Sequence, residues 1–258
     1  MNILFIGDIV GRPGREAIKT LVPVLIKDKK IDCVIANGEN AAGGSGLTAF
    51  ICDELFSYGV NVLTSGDHIW KKKDIIEYID KSRTLLRPLN YPESVPGNGF
   101  TIVNIKGVDI GVINLMGRVF MQPIEYAFLA AEKAVKEIRK KTNIIIVDLH
   151  AEATSEKIAL GLFLDGRVSC LIGTHTHVQT ADEKILQKGT AYITDCGMTG
   201  GFDGVIGRKK EQIIHRFITQ MPARFEIAED DVRINAVLVN INKKTGQAVS
   251  IERIDIPV

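Results

Sequence analysis

Short apolar runs recur along the chain, and most are closed within a few residues by an acid or a histidine. Ile3-Leu4-Phe5-Ile6 precedes Asp8, Cys33-Val34-Ile35-Ala36 precedes Glu39, and Val60 to Leu63 precedes Asp67. Further on, Ile144-Ile145-Ile146-Val147 precedes His150 and Cys170-Leu171-Ile172 precedes His175. Continuous apolar runs of this length predict strands buried on both faces. Between them the spacing predicts helices over Pro13 to Lys29, with proline in its first turn, then Thr48 to Ser57, Lys73 to Lys81, Ile124 to Lys140, Ser155 to Leu164 and Lys209 to Gln220. That alternation is expected of an α/β chain with parallel strands and crossover helices. Two stretches instead predict hairpins. Thr101 to Ile105 and Asp109 to Leu115 flank Lys106-Gly107, and Arg233 to Ile241 and Ala248 to Ile254 flank a turn with Thr245-Gly246. A mixed sheet, or two packed sheets, suits this pattern better than a purely parallel one.

The 258 residues are 45% hydrophobic, enough for a large core, and contain no internal repeat or low-complexity tract. Arg87 to Gly99, rich in Pro and Asn, is the only mid-chain break and predicts a surface loop, so residues 1–258 are expected to form a single domain. A charged content of 24% argues against disorder, and a formal net charge of +1 gives no general attraction to nucleic acid or membrane. The start of the sequence lacks the basic region of a secretory signal. No apolar run approaches the ~18 residues of a membrane span. A cytoplasmic location is expected. Cys33, Cys52, Cys170 and Cys196 form no Cys-x-x-Cys pair. Cys33 and Cys170 read as buried hydrophobes, whereas Cys196, after a further strand, is placed to line a pocket.

Ligands in open α/β sheets bind beyond the carboxyl ends of strands, so Asp8, Glu39, Asp67, His68, His150, His175 and His177 can converge although they are far apart in sequence. Alternate residues of an extended segment share a face, and His175-Thr176-His177 can therefore aim two imidazoles the same way. Taken singly, each motif would more often be a polar turn. Taken together, carboxylates and imidazoles at strand ends predict a metal-dependent hydrolase, and that donor mixture suits Mn²⁺, Fe or Zn²⁺ better than Ca²⁺. Asp67 beside His68 suggests a division of labour, with one residue for metal and a neighbour free for proton transfer.

These residues and their order resemble the calcineurin-like metallophosphoesterases, and more closely the bacterial YmdB-like branch that hydrolyses 2′,3′-cyclic nucleotides. The resemblance is carried by Gly7-Asp8-Ile9-Val10-Gly11-Arg12-Pro13-Gly14, Asn37-Gly38-Glu39-Asn40-Ala41-Ala42-Gly43-Gly44, Gly66-Asp67-His68-Ile69-Trp70, Asp148-Leu149-His150-Ala151-Glu152 and Gly173-Thr174-His175-Thr176-His177-Val178-Gln179-Thr180. Asp195-Cys196-Gly197-Met198-Thr199-Gly200 is also similar to that branch. The resemblance implies a four-layer α/β/β/α sandwich holding two divalent metal ions, for which Fe or Mn is expected first and Zn is an alternative. It implies that one metal takes Asp8, Glu39, Asn40 and His177 and the other Glu39, Asp67, His150 and His175, with Glu39 as the bridge. It further implies a phosphodiesterase acting on cyclic nucleotides such as 2′,3′-cAMP, in which a hydroxide bridging the metals attacks phosphorus in line and His68 is the general acid.

The sequence departs from the family pattern at two positions. Val10 stands where the wider superfamily has a histidine, as the YmdB-like branch allows. Asp67 stands where asparagine is common, so Asp8, Glu39, Asp67 and a hydroxide would together offset two divalent cations. Unit charges ~4 Å apart interact by about 4 kcal/mol at an effective dielectric of 20. Asp67 is therefore expected to tighten metal binding and to weaken phosphate binding. Other classes stay open beside the diesterase. One is a phosphomonoesterase or other metal hydrolase, and another is a regulatory module that binds a nucleotide or RNA with little turnover. A homo-oligomer and RNA are open partners, while a membrane is not expected. Arg118, Lys71-Lys72-Lys73 beside Trp70, and Gly11 to Arg15 are weaker candidates for phosphate or anion contacts. Gly43-Gly44-Ser45-Gly46 reads as a mobile rim near Glu39, and His215 falls outside the site.

Overall fold

Every apolar run becomes a strand because both of its faces find partners. A computed structural model describes residues 1–258 as a mixed α/β arrangement of two sheets with helices. The first sheet contains β1 (Asn2–Ile6), β2 (Asp8–Ile9), β3 (Cys33–Asn37), β4 (Val62–Thr64), β11 (Met198–Gly201), β12 (Val232–Ile241) and β13 (Ala248–Pro257). The second contains β5 (Phe100–Ile105), β6 (Val108–Met116), β7 (Ile145–His150), β8 (Cys170–Thr174), β9 (Lys184–Ile185) and β10 (Ala191–Ile193). In the first sheet β1, β3 and β4 run parallel, and β12 pairs β1 antiparallel with Ile3 opposite Val239. In the second sheet β6, β7, β8 and β10 run parallel, and the hairpin strand β5 is antiparallel to β6.

Period-two alternation decides which core each side chain enters. Ile3 and Phe5 join Cys33, Ile35, Val112, Ile146, Cys170 and Ile172 in a cluster drawn from both sheets. Leu4 and Ile6 turn the other way, onto Ile18 and Val22 of α1 (Gly11–Asp28), Ile51 and Leu55 of α2 (Ala49–Ser57) and Ile75 of α3 (Ile75–Lys81). The second sheet's opposite face, with Ile145, Val147 and Leu171, packs on Ala131, Val135 and Ile138 of α4 (Ala127–Ile138) and Leu160 and Leu164 of α5 (Thr154–Leu164). The last helix, α6 (Lys210–Thr219), buries only Ile213. No helix is long and apolar enough to cross a membrane.

The six helices and both hairpins predicted from spacing are present, with ends shifted by a few residues. One expectation needs correction. Cys196 does not line a pocket: it is fully buried in the cluster between the sheets, its Sγ 3.5 Å from the Phe5 carbonyl oxygen. The Arg87 to Gly99 stretch is a surface loop, with Pro92, Glu93 and Ser94 exposed. It is anchored at its start by Arg87, which is buried and whose guanidinium donates to the carbonyls of Pro88 and Pro96. At the Gly43 to Gly46 rim the Arg208 guanidinium donates to the carbonyls of Gly43 and Gly44.

Candidate metal centre

The parallel strands of both sheets end at the same place. The first sheet delivers Asp8 at the start of β2, Glu39 and Asn40 after β3, and Asp67 and His68 after β4. The second delivers His150 as the last residue of β7, and His175 and His177 after β8. Gly66 permits the approach, since a Cβ there would collide with the His150 ring and the Glu39 carboxylate. Ligand atoms of Glu39, Asp67, His150 and His175 all lie within 4.8 Å of one another. His150 Nε2 is at the centre of the group, 3.2 Å from Glu39 Oε1, 3.4 Å from Asp67 Oδ1 and 3.0 Å from His175 Nδ1.

Asp8 and His177 lie alongside. Asp8 Oδ1 is 3.8 Å from His177 Nε2 and 3.9 Å from His150 Nδ1, while Asp8 Oδ2 accepts the His175 backbone N–H at 3.1 Å. Asn40 donates its N–H₂ to Glu39 Oε1 at 3.2 Å and faces His177 Nε2 at 3.2 Å, and its oxygen is 2.7 Å from His68 Nδ1. The amide oxygen therefore orients His68 here, and a ligand role for Asn40 requires the amide to turn over. His68 also donates its backbone N–H to Glu39 Oε2 at 3.1 Å, and its Nε2 lies 3.8 Å from Asp67 Oδ2.

Each of the three clustered imidazoles is braced through its other nitrogen. His150 Nδ1 is 2.9 Å from the Thr174 hydroxyl, which donates to Asp148 Oδ1 at 2.7 Å. His175 Nε2 is 3.2 Å from Glu152 Oε2. His177 Nδ1 donates to the Ile206 carbonyl at 3.0 Å, which leaves the Nε2 lone pair facing Asp8. Partners of this kind fix the tautomer and rotation of a metal-binding histidine. None of these braces was singled out from sequence. Asp148 was accessible by period two, since it shares a strand face with His150, whereas a backbone carbonyl such as that of Ile206 leaves no side-chain signal.

The electrostatics are those of buried carboxylates and imidazoles crowded into one place. Burial drives Asp8 above the usual carboxylate range, even though His177 and His150 pull it down. Burial also pushes Glu39 and Asp67 upward, but the neighbouring imidazoles, His150 foremost and His68 with it, together outweigh it and both lie below their ordinary values. His150 is correspondingly raised well above a normal histidine, because Glu39, Asp67 and Asp8 overcome its desolvation. His175 is lowered to about 4, by burial and then by the charge on His150. Asp148 is pushed up to about 7 by burial. Two buried carboxylate oxygens of the cluster, Asp8 Oδ1 and Asp67 Oδ1, have no well-formed hydrogen bond, the nearest nitrogen to the second being His150 Nε2 at 3.4 Å. Buried acceptors without donors are costly unless a cation meets them. One orphan lies beside His177 and the other beside His150 and His175, so the residues present fit two cations.

The weaker candidates have partners of their own. The Arg118 guanidinium stacks over Tyr126, 4.1 Å from the ring centroid, and its backbone N–H donates to Glu156. Trp70 packs edge-on against Tyr91 with ring centroids 6.0 Å apart. The Gly11 N–H is used by the Asn40 carbonyl at 3.0 Å, and the Arg15 side chain donates to Glu54 and to the Ala41 carbonyl, each at 2.7 Å. That segment braces the Glu39 loop. His215 is exposed on α6.

A family model described as YmdB-like protein matches residues 4–254. The chain is 51% identical over 254 residues to the 2′,3′-cyclic-nucleotide 2′-phosphodiesterase of Bacillus subtilis (strain 168), covering 98% of this chain and 96% of that relative. A crystal structure of a hypothetical protein from Thermus thermophilus superposes with a TM-score of 0.93 at 39% identity, covering 100% of this chain and 99% of that one. A crystal structure described as a novel phosphatase, from Mycoplasma pneumoniae, superposes with a TM-score of 0.92 at 34% identity, covering 100% of this chain and 93% of that one.

Proposed function

The chain belongs to the YmdB-like family, and from that premise we propose that it is a two-metal phosphodiesterase that hydrolyses cyclic nucleotides such as 2′,3′-cAMP. The name of the Bacillus subtilis relative supports the substrate. The observation that carries the chemistry is the cluster of Glu39, Asp67, His150 and His175, with an orphaned carboxylate oxygen on Asp67 and a second on Asp8. In this assignment Asp8, Glu39, Asn40 and His177 hold one divalent ion, and Glu39, Asp67, His150 and His175 hold the other. Fe or Mn suits the mixed oxygen and nitrogen donors, as Zn also would. Bound there, the ions would neutralise phosphate charge and lower the pKa of a water molecule.

The chain's own residues do the rest. Thr174, Glu152 and the Ile206 carbonyl keep the three imidazoles turned to their ions. His68 is the acid. Its backbone N–H, donated to Glu39 Oε2 at 3.1 Å, holds it beside the bridging carboxylate, and the protonated ring has an N–H to give to the departing ribose oxygen. A single domain of residues 1–258, built as a four-layer α/β/β/α sandwich, would carry this site. The support is one core cluster between the sheets and one between each sheet and its helices. The substrate is a small phosphodiester, and work in the cytoplasm suits it.

The test is hydrolysis of 2′,3′-cAMP by metal-stripped protein reconstituted with Mn²⁺ or Fe²⁺, beside Glu39→Gln and His68→Ala. Metal-restored turnover that both substitutions abolish or cripple is the expected result. Asp67 favours a second reading, because its extra charge leaves less attraction for a phosphate. Full metal loading without turnover on this or a generic phosphodiester would overturn the diesterase and favour a regulatory module.

A further inference from the structure

Helix α5 buries Lys157, Leu160, Gly161 and Leu164. That spacing is the apolar stripe of a helix packed on a core, yet a lysine leads it. The Lys157 ammonium has no exposure and donates to Asp195 Oδ2 at 2.7 Å, and Asp195 is equally buried. Burying such a pair costs free energy that its mutual attraction offsets only with good geometry and further hydrogen bonds.

Those further bonds connect the pair to the metal centre. Asp195 Oδ2 accepts the backbone N–H of Thr176 at 3.0 Å and its hydroxyl at 2.8 Å, while Oδ1 accepts the Gly197 N–H at 2.9 Å. Backbone donors thus meet both oxygens. An asparagine would have to turn its N–H₂ against one of them, so the position requires a carboxylate. A buried carboxylate in turn requires a cation, and Lys157 is that cation. The lysine stem crosses β8 at Gly173, where a Cβ would come within 3.0 Å of Lys157 Cδ.

Thr176 stands between His175 and His177, whose φ angles are 101° and 64°. Non-glycine residues hold such left-handed backbone only when their surroundings enforce it. We infer that Lys157 is a positioning residue for the metal centre: through Asp195 it clamps Thr176 and keeps His175 and His177 aimed at their ions. This rests on the proposed ligand roles of those two histidines.

The test is Mn²⁺ affinity, by competition with a chelator, for the wild type, Lys157→Met, Leu160→Ala and His177→Ala, with melting temperatures alongside. Loss of a group that orients a ligand from outside the coordination sphere typically costs about 10–100-fold in metal affinity, and that is the expected loss for Lys157→Met. Leu160→Ala loosens the same helix face and is expected to lower the melting temperature with Mn²⁺ affinity unchanged. An equal loss in Leu160→Ala would mean general loosening and would overturn the inference. So would unchanged affinity in Lys157→Met while His177→Ala loses it, with the metal centre itself left standing. Unchanged affinity in His177→Ala would instead remove the ligand assignment, and the inference with it. Should Lys157→Met not fold, Thr176→Val reads the same connection from its other end, with weakened affinity supporting the clamp and unchanged affinity overturning it.

Discussion

The first sheet brings carboxylates to the centre, and the second brings imidazoles. Asp8, Glu39 and Asp67 all follow strands of the first, while His150, His175 and His177 close strands of the second. The two groups are also held differently. Every imidazole on the second side is braced through its far nitrogen, whereas Asp8 and Asp67 each keep one oxygen without a well-formed hydrogen bond. The difference follows from the shape of the ligands. An imidazole offers one in-plane lone pair and is useless when rotated, but a carboxylate offers about four lone-pair sites over two oxygens. One side therefore depends on bracing and the other on charge.

The largest expected effect comes from the residue proposed to serve both ions. Glu39→Gln should reduce Mn²⁺ occupancy at both positions and bring 2′,3′-cAMP turnover to background, measured by metal analysis beside a rate assay. Retained occupancy would contradict the bridging role. His68 is the exception to the division, an imidazole on the carboxylate side whose Nδ1 is held by Asn40. His68→Ala should lower kcat by about 10²–10⁴-fold with metal content unchanged, and should lose less on a substrate with a better leaving group. A fall in metal content would make it a ligand instead.

A brace comes next. Thr174→Val removes the hydroxyl between His150 and Asp148 and should weaken Mn²⁺ binding by about 10–100-fold. The analogous loss of a donor to a carboxylate should do less, so equal losses on both sides would erase the contrast between the sheets. The smallest effect concerns charge. Asp67→Asn should weaken metal retention while lowering KM for the phosphodiester by about tenfold, about a third of the ~4 kcal/mol available to close unit charges at a dielectric of 20. Weaker retention with KM unimproved would separate the two halves of that expectation.

Much of this contrast is legible in the sequence because it sits on the strongest pattern there. A strand buried on both faces must be continuously apolar, so its polar terminator is conspicuous, and Asp8, Glu39, His150 and His175 are found that way. β2 and β11 are not, since Asp8–Ile9 is too short to show a period and Met198–Gly201 is half glycine. Those two strands pair with each other and seat Asp8 opposite Met198. The braces were hidden for a different reason. Lys157 reads as a solvated helix residue until Asp195 is brought beneath it, and the Ile206 carbonyl belongs to the backbone. Contacts of this kind are set by register and loop path, which local periodicity does not carry.

The antiparallel pairing of β1 with β12 also gives the centre a place in time. Asn2–Ile6 bonds to Ala236–Asn240, and Gly7, next to Asp8, donates its N–H to the Asn235 carbonyl. At about 5–20 residues per second, roughly 10–50 s of translation separate the two partners. Until then β1 lacks its β12 partner and Gly7 lacks its acceptor beside Asp8, and a chain stopped before Val232 is expected to hold Mn²⁺ more weakly against a chelator. Ions taken up at the proposed site are therefore expected to be selected after β12 has been made, from the metal pool that the longer chain meets.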